Sequence, residues 1–300
     1  MDKLSTKELE NLFFSNNTND VIKFYDNFSS SKDLIDWFCA RPRSPPRFYE
    51  TQGSTNVIVV VTTANHEKDM AKECLKIYDG LKIIFVESSG RNFHYTHNCN
   101  AGLKRALKYK PEWVILSNDD MYMIDNINVL LRELKKISNK DVKVLVGSKL
   151  GKESAGVGLS LVARRRYLSM LYREIKGDWR SHYNDILNRF GAKYEIIPGG
   201  TARLKLWPFY SYKKQFLAGG AFKAFSYEYL KRVNGNIYDE KLQYNLEDDD
   251  LFFSFDKNEY KKINFRIGHL IGGTWGVNPL RTLQGLYGTI YFNYKHSRDI

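Results

Sequence analysis

The sequence predicts an α/β chain built around a mostly parallel sheet, and three observations lead to that prediction. Short, mostly apolar runs recur along the chain, as expected for strands that are covered on both faces. Segments with apolar residues at helical spacing separate these runs. Strand and helix therefore alternate, which implies parallel strands joined by right-handed crossovers. The runs span 57–61, 82–86, 113–116 and 142–146, and the helical segments span 67–79, 100–108 and 129–137.

Two later segments extend the predicted sheet. Residues 216–224 are typical of a strand interrupted by Gly219 and Gly220, where a backbone or ligand can approach closely. Residues 263–271 are typical of a late strand that ends near His269.

The regions around these segments divide the chain into three parts. Residues 1–55 are an N-terminal extension and proline-rich linker, in which Ser5 and Glu8 form a possible capping box at the start of a short helix. Residues 56–275 are the main domain. Within it, 150–215 is rich in aromatic and basic residues and is interpreted either as an acceptor-side insertion or as a plain helical subdomain.

The last part, residues 276–300, is predicted to be a helical tail. Its apolar residues recur at helical spacing and are flanked by basic residues. This pattern fits a helix packed on the domain, and it also fits a helix that lies on a membrane surface. The packed helix is the preferred interpretation.

The composition is that of a globular protein with a basic surface. The chain has 300 residues, a formal net charge of +12 and an aromatic content of 14%. Such a charge favours anionic partners, namely nucleotides, acidic glycans, nucleic acid or an anionic membrane face, without choosing among them.

The cysteines and the hydropathy pattern bear on the compartment. Cys39, Cys74 and Cys99 have no paired spacing, which argues against a disulfide framework or a zinc site. The first residues lack a secretory signal pattern, and no apolar stretch approaches the ~20 residues of a membrane span. We expect a cytoplasmic protein, with peripheral contact at the inner membrane face left open.

Two acidic clusters supply the candidate chemistry. Asp119 and Asp120 follow the third predicted strand, and open α/β sheets bind ligands at the carboxyl ends of their strands. A carboxylate there can hold a divalent cation through hard oxygen ligands, and the cation can hold phosphates. The second cluster, 247–250, could supply a general base. Together they suggest an enzyme that cleaves a bond to a nucleotide diphosphate.

Short motifs at the ends of the predicted strands add a resemblance. Their order from residue 56 to about residue 274 resembles that of the inverting glycosyltransferases of family 2, which have the GT-A fold. The motifs are Thr62-Thr63-Ala64-Asn65, Glu87-Ser88-Ser89-Gly90, Asn100-Ala101-Gly102, Ser117-Asn118-Asp119-Asp120 and Glu247-Asp248-Asp249-Asp250-Leu251. The chain departs from the family pattern at three positions: no proline precedes Thr63, Glu87 replaces an aspartate, and Asn118 occupies the first position of the DxD metal motif.

The resemblance implies a hexosyltransferase that uses Mn²⁺ or Mg²⁺ and a nucleotide-diphosphate sugar, with inversion. It implies that Asp120 binds the metal and that His269 completes the metal site. The donor pocket would contain Thr62, Asn65, Glu87, Asn100, Lys104 and Asp119. The acceptor would be a hydroxyl of a glycan, a lipid-linked group or a protein, and nucleic acid is not an expected partner.

Asp248 is the preferred general base, and Glu247 is its rival. The base needs burial or neighbouring carboxylates to raise its pKa toward the working pH, and residues 247–250 offer both.

Two other functions remain to be weighed. A sugar-nucleotidyltransferase of similar architecture would show a glycine-rich loop after the first strand, and 62–69 contains no glycine. A basic nucleic-acid-binding or glycan-binding protein without catalysis would not favour carboxylates in its cleft. The donor base, the sugar, the acceptor and the oligomeric state cannot be read from the sequence.

Overall fold

The computed structural model describes most of the chain in ten segments. These are residues 4–138, 142–149, 181–192, 194–197, 201–206, 209–215, 221–243, 245–256, 258–270 and 279–296. Much of the predicted insertion, the first part of the predicted strand 216–224 and the end of the predicted strand 263–271 lie outside these segments.

The helices and strands follow in chain order. The helices are α1 Thr6–Phe13, α2 Thr18–Asp26, α3 Ser31–Ala40, α4 Asp69–Ile77, α5 Tyr95–Ala106, α6 Ile127–Lys135, α7 Ser181–Arg189, α8 Tyr227–Arg232, α9 Glu247–Phe253, α10 Pro279–Gln284 and α11 Leu286–His296. The strands are β1 Arg47–Glu50, β2 Ser54–Thr63, β3 Leu81–Glu87, β4 Trp113–Asn118, β5 Met121–Met123, β6 Val144–Lys149, β7 Tyr194–Ile197, β8 Thr201–Leu206, β9 Phe209–Gln215, β10 Phe222–Ser226 and β11 Tyr260–His269.

Eight of the described strands form one sheet in the order β1-β3-β2-β4-β10-β6-β11-β5. The strand β2 pairs in parallel with β3 and β4, and β6 pairs in parallel with β11. The remaining neighbours are antiparallel, because β10 inserts between β4 and β6 and because β1 and β5 form antiparallel edges. The α/β class is confirmed, but the pairing is mixed rather than mostly parallel. The strands β7, β8 and β9 form a separate antiparallel sheet.

Both faces of the large sheet are covered. In β2, Ile58 and Val60 belong to the core on the side of α5, whereas Val59 and Val61 belong to the core on the side of α4. This two-sided burial explains why the run is continuously apolar. Gly102 lets α5 lie close to the sheet, since a Cβ at this position would be 2.4 Å from Cγ1 of Val60.

The N-terminal segment, predicted as an extension and linker packed on the main domain, forms three helices and a strand. The helices α1 to α3 bury Phe13, Phe24 and Phe38, and β1 joins the large sheet by pairing with β3. The guanidinium of Arg41, which is 6% exposed, lies among the rings of α1 and α3 and bonds to the backbone oxygen of Arg91 at 2.9 Å.

The N-terminal helices also pack on the last two helices. The rings of Phe38 and Tyr287 are stacked with centroids 3.6 Å apart. The hydroxyl of Tyr25 donates to the backbone oxygen of Leu283 at 2.8 Å. Nearly every side chain of α11 is buried, so the tail helix packs on the domain. None of the helices within the described segments has both the length and the apolarity to cross a membrane.

Candidate active site

Several strands that point the same way end at one edge of the sheet, and this edge carries the candidate site. The strands β2, β3, β4 and β11 end at Thr63, Glu87, Asn118 and His269. Candidate site residues from motifs that are far apart in the sequence therefore meet at this edge. In open α/β sheets this is the place where ligands bind.

Asp120 and His269 meet directly. Oδ1 of Asp120 lies 3.0 Å from Nε2 of His269, and the two side chains are 6% and 16% exposed. The edge strand β5 creates this contact, because it pairs antiparallel with β11 and sets His269 opposite Met121. The backbone oxygen of Asp120 also accepts a hydrogen bond from the N–H of Leu270 at 2.9 Å.

This pair fits a divalent cation. Oδ1 of Asp120 is buried, and no donor in the described segments bonds to it with hydrogen-bonding geometry, although the imidazole lies close. A buried carboxylate oxygen without a hydrogen bond is costly unless another positive group satisfies it. Two neighbouring ligands of an octahedral ion with metal–oxygen distances of about 2.1 Å lie about 3 Å apart, as this oxygen and nitrogen do.

The pair alone would leave most of a metal's coordination positions open. Within the described segments, no group of three or more histidine, cysteine, aspartate or glutamate side chains is placed to hold an ion. Mg²⁺ in proteins is often held by one or two carboxylates, with water and substrate phosphates as the other ligands. Asp120 and His269 fit that kind of site.

The other residues of the DxD region are engaged within the chain. Oδ2 of the buried Asp119 accepts a hydrogen bond from Oγ1 of Thr63 at 2.7 Å, which joins the ends of β4 and β2. Oδ1 of Asn118 accepts a hydrogen bond from the hydroxyl of Tyr95 at 3.0 Å. Asp119 and Asn118 thus fix the strand ends on which Asp120 is held.

Glu87 is buried and is held by residues that the sequence motifs did not reveal. The register of β1 and β3 sets Arg47 opposite Glu87, and the guanidinium pairs with Oε1. Oε2 accepts bonds from the backbone N–H of His66 at 3.0 Å and from its Nδ1 at 2.7 Å. The imidazole of His66 is stacked on Tyr49 with centroids 3.7 Å apart.

The balance of these contacts keeps Glu87 ionised. Burial acts to raise the pKa of Glu87, but the bonds from His66 and the charge of Arg47 outweigh it and lower the pKa below its usual value. A carboxylate has about four acceptor positions and three are used here, so one position remains for a ligand.

Thr62 and Asn65 lie at the end of β2, as the motif predicts. Thr62 is buried and pairs with Val86 on one side and Asn118 on the other. Oδ1 of Asn65 accepts a hydrogen bond from the N–H of Glu67 at 2.8 Å, so this side chain shapes the turn after the strand.

Asn100 is placed differently from the expectation. Its Nδ2 donates to the backbone oxygen of Tyr238 at 2.9 Å and to Oε1 of Glu240 at 3.2 Å. Its Oδ1 accepts from the N–H groups of Ile237 and Tyr238, both at 3.1 Å. All four hydrogen-bonding positions of the amide are used by the loop 237–240. In the structure Asn100 therefore holds this loop, and its contact with the donor stays a prediction.

Lys104 lies far from the start of its helix. The helix α5 starts beside the candidate site at Tyr95, and Lys104 lies nine residues further along, which is about 13 Å of helix. There Lys104 is exposed and packs against Gly235, whose φ of +69° belongs to the left-handed region. The helix points away from the strand ends, so Lys104 lies at the end of α5 that is far from the candidate site, and its contact with a phosphate stays a prediction.

The second acidic cluster forms the first turn of α9. Oδ1 of Asp248 accepts a hydrogen bond from the hydroxyl of Tyr238 at 2.6 Å and lies 2.8 Å from Nζ of Lys223. Burial, followed by the charge of Asp248, raises the pKa of Glu247 to about 7. The same two causes raise the pKa of Asp249 to about 7. Glu247 therefore has the raised pKa that was expected of a general base at position 248.

The fourth carboxylate of the cluster is used by the last helix. Oδ1 of Asp250 bonds to Nε2 of His296 at 2.7 Å, and Oδ2 accepts from Nζ of Lys295 at 2.8 Å. The same ammonium lies 3.0 Å from Oδ2 of Asp239, which also accepts a bond from Tyr291 at 2.7 Å. Side chains of α11 thus hold both Asp239 and Asp250 in place.

A chain of aromatic residues connects the two acidic regions. Tyr95 bonds to Asn118 beside Asp120, its ring lies 6.3 Å from that of Tyr238, and Tyr238 bonds to Asp248. The sequence motifs at the ends of β2, β3 and β4 gave no indication of Tyr95 or of Lys223. A lysine in the middle of an apolar strand was the sequence feature that could have revealed Lys223.

Comparison with known proteins gives a distant structural neighbour. No protein-family model matches the sequence, and no curated protein matches it. Among solved structures, a mannosyltransferase from Pyrobaculum calidifontis in complex with GDP-Man and Mn²⁺ matches with 14% sequence identity and a TM-score of 0.39. The match covers 95% of this chain and 81% of the other chain. Similarity at this level does not establish a shared fold.

Proposed function

We propose that this protein is a metal-dependent glycosyltransferase, which transfers a sugar from a nucleotide-diphosphate sugar to an acceptor hydroxyl with inversion. The observation that carries the proposal is the buried contact of 3.0 Å between Asp120 and His269 at the carboxyl edge of the sheet. Asp120 and His269 would hold Mn²⁺ or Mg²⁺, which would neutralise the charge that develops on a departing diphosphate.

The nucleoside part of the donor would occupy the ends of β2 and β3. Glu87 is ionised there and keeps one acceptor position, which suits a base N–H or a ribose hydroxyl. Thr62 and Asp119 lie at the neighbouring strand ends. With the nucleoside at these strand ends, the diphosphate would point toward Asp120 and α9.

The acidic pair of α9 would act on the acceptor. A general base works best when its pKa lies near the operating pH, and the pKa of Glu247 is raised to about 7. Glu247 would take the proton of the acceptor hydroxyl as its oxygen attacks the anomeric carbon. Asp248, bound to Lys223 and Tyr238, would supply the fixed charge beside it. A single displacement of this kind inverts the anomeric centre.

Ligand-induced thermal stabilisation tests the donor site. The protein would be melted with UDP, GDP, dTDP or CDP, each with and without Mn²⁺. A ligand at about 100 times its dissociation constant stabilises by about 2.7 kcal/mol, which corresponds to about 4 °C for a chain of this length. We expect one diphosphate to raise the midpoint, and only in the presence of Mn²⁺.

Two variants make this experiment specific. Asp120→Ala should abolish the metal-dependent shift. Asp36→Ala, which removes an exposed carboxylate of α3, should leave it intact. A shift that persists in Asp120→Ala would refute the proposed metal site. If no diphosphate shifted the folded protein, the binding-protein alternative would replace the transferase.

A further inference from the structure

Lys223 is a buried lysine in the middle of the sheet. It lies on β10, opposite Leu116 of β4 and Val146 of β6, and its side chain is 1% exposed. Lysine is almost never fully buried unless its ammonium is paired, because the charge loses its hydration. The sequence around it, Phe222 to Ser226, is otherwise that of a core strand.

The ammonium and a phenol converge on one carboxylate oxygen. Nζ of Lys223 lies 2.8 Å from Oδ1 of Asp248, and the hydroxyl of Tyr238 donates to the same oxygen at 2.6 Å. The ammonium also lies 5.9 Å from the centre of the Tyr238 ring. Asp248 is held from two directions, one of them the rigid sheet, which fixes its orientation.

The groups that face Asp248 come from α9 itself and from three further elements, namely α5, the loop 237–240 and β10. Glu247 and Asp249 are its neighbours on α9, and Tyr95 and Cys99 lie on α5, which packs on the same side of the sheet. Burial raises the pKa of Tyr95 and of Cys99, so both remain neutral at physiological pH. The same is true of Tyr238. Lys223 therefore brings positive charge to a group of otherwise acidic or neutral side chains.

We propose that Lys223 is a positioning residue of the candidate active site, which fixes Asp248 as the charged partner of Glu247. The ion pair anchors the first turn of α9 to the sheet centre. Asp248 then presents a fixed negative charge to Glu247 and to Asp249. The catalytic meaning of this arrangement rests on the proposed function, whereas the electrostatic coupling does not.

Carboxyl-detected ¹³C NMR titration measures the coupling without a substrate. Glu247→Gln and Asp249→Asn would assign the two carboxyls that titrate near pH 7. Lys223→Met removes the positive charge but keeps an apolar chain of similar size. We expect their titration midpoints to move up by about one pH unit, since loss of a nearby cation favours the protonated form.

Two further variants separate charge from packing. Lys223→Arg keeps the charge and should bring the midpoints back toward the wild-type values. Lys82→Met removes a largely buried lysine of β3, which pairs with Glu50 at 3.3 Å, and should leave the midpoints unchanged. Unchanged midpoints in a folded Lys223→Met protein would overturn the proposal.

If Lys223→Met does not fold, thermal melting of other variants tests the pairing of Lys223 with Asp248. Asp248→Asn should lower the melting temperature because it leaves a buried ammonium without its charged partner. The double variant K223M/D248N removes both charges and should melt above Asp248→Asn. A double variant no more stable than Asp248→Asn would contradict the pairing. Because these measurements need no donor, failure to find transferase activity would count against the proposed function alone.

Discussion

At the scale of single residues, Glu247 and Asp249 couple the stability of the protein to pH. Their pKa values are raised from 4.5 and 3.8 to about 7. Between those values the folded protein holds protons that the unfolded chain has released. The stability from these groups is therefore fully present at low pH and is lost as the pH rises toward 7, by up to about 1.4 kcal/mol per pH unit for each group.

The first prediction compares wild type with the variant E247Q/D249N by urea unfolding at pH 5 and pH 8. We expect the free energy of unfolding of wild type, relative to the variant, to be higher at pH 5 than at pH 8. A comparison with the variant is needed because His94 acts in the opposite direction. Burial lowers the pKa of His94 to about 4, so its contribution is lost as the pH falls. An equal difference at both pH values would contradict the raised pKa values.

The second prediction concerns the assignment of the base. Once a donor is identified, Glu247→Gln should reduce kcat by about 10²–10⁴-fold, the usual contribution of a general base. Asp249→Asn is the matched control, because Asp249 has a similarly raised pKa but is 9% exposed and less accessible. If Glu247→Gln retained full activity while Asp248→Asn lost it, Asp248 would be the base, as first expected from the motif.

Some site residues were predictable from sequence because they sit at strand ends. Asp120 and His269 follow apolar runs, and parallel strands bring such ends to one edge. Arg47 and Lys223 were not predictable in the same way. Their contacts with Glu87 and Asp248 depend on the antiparallel register of β1 and β10, which local sequence does not specify.

At the scale of elements, the middle of α5 and the loop 237–240 act as one unit through Asn100. Four hydrogen bonds join its amide to this loop, which leads into α9. The third prediction is that Asn100→Ala lowers the free energy of unfolding by about 2–4 kcal/mol, since it leaves buried backbone groups unpaired. The exposed Lys104→Ala on the same helix should change it by less than about 0.5 kcal/mol.

The Lys104→Ala variant also tests whether this residue contacts a phosphate of the donor. Lys104→Ala should leave the diphosphate-induced thermal shift unchanged, because Lys104 lies at the far end of the helix. A weaker shift in Lys104→Ala would restore the phosphate contact that the motif suggested.

The strands and helices between 57 and 137 were the most predictable part of the fold. Their hydrophobic periodicity is strong, and each buries its own apolar residues against the sheet. The N-terminal helices were harder to predict, because part of their aromatic packing is against residues far away in sequence, as Phe38 is against Tyr287. An interpretation as a linker followed from the polar and proline-rich stretches between them.

At the scale of the whole molecule, the two ends of the described chain share one core. The stacking of Phe38 on Tyr287 and the bond from Tyr25 to Leu283 lie in that core. The fourth prediction is that Tyr287→Ala, at a side chain with 0% exposure, lowers the free energy of unfolding by about 3–5 kcal/mol. Denaturant unfolding followed by far-UV circular dichroism measures this loss.

Tyr294→Ala is the matched control, because the same helix carries this tyrosine with 51% of its surface exposed. Its effect should stay within about 0.5 kcal/mol. Equal effects of the two substitutions would show that α11 does not contribute its buried face to the core.

The contact between Tyr25 and Leu283 also has a consequence for biosynthesis. The two residues are 258 positions apart in the chain. At about 5–20 residues per second, a ribosome needs roughly 10–50 s to make the intervening segment. During that interval, Tyr25 and Phe38 lack their final partners Leu283 and Tyr287. We therefore expect the packing of the first three helices to be completed only after α10 and α11 have been made.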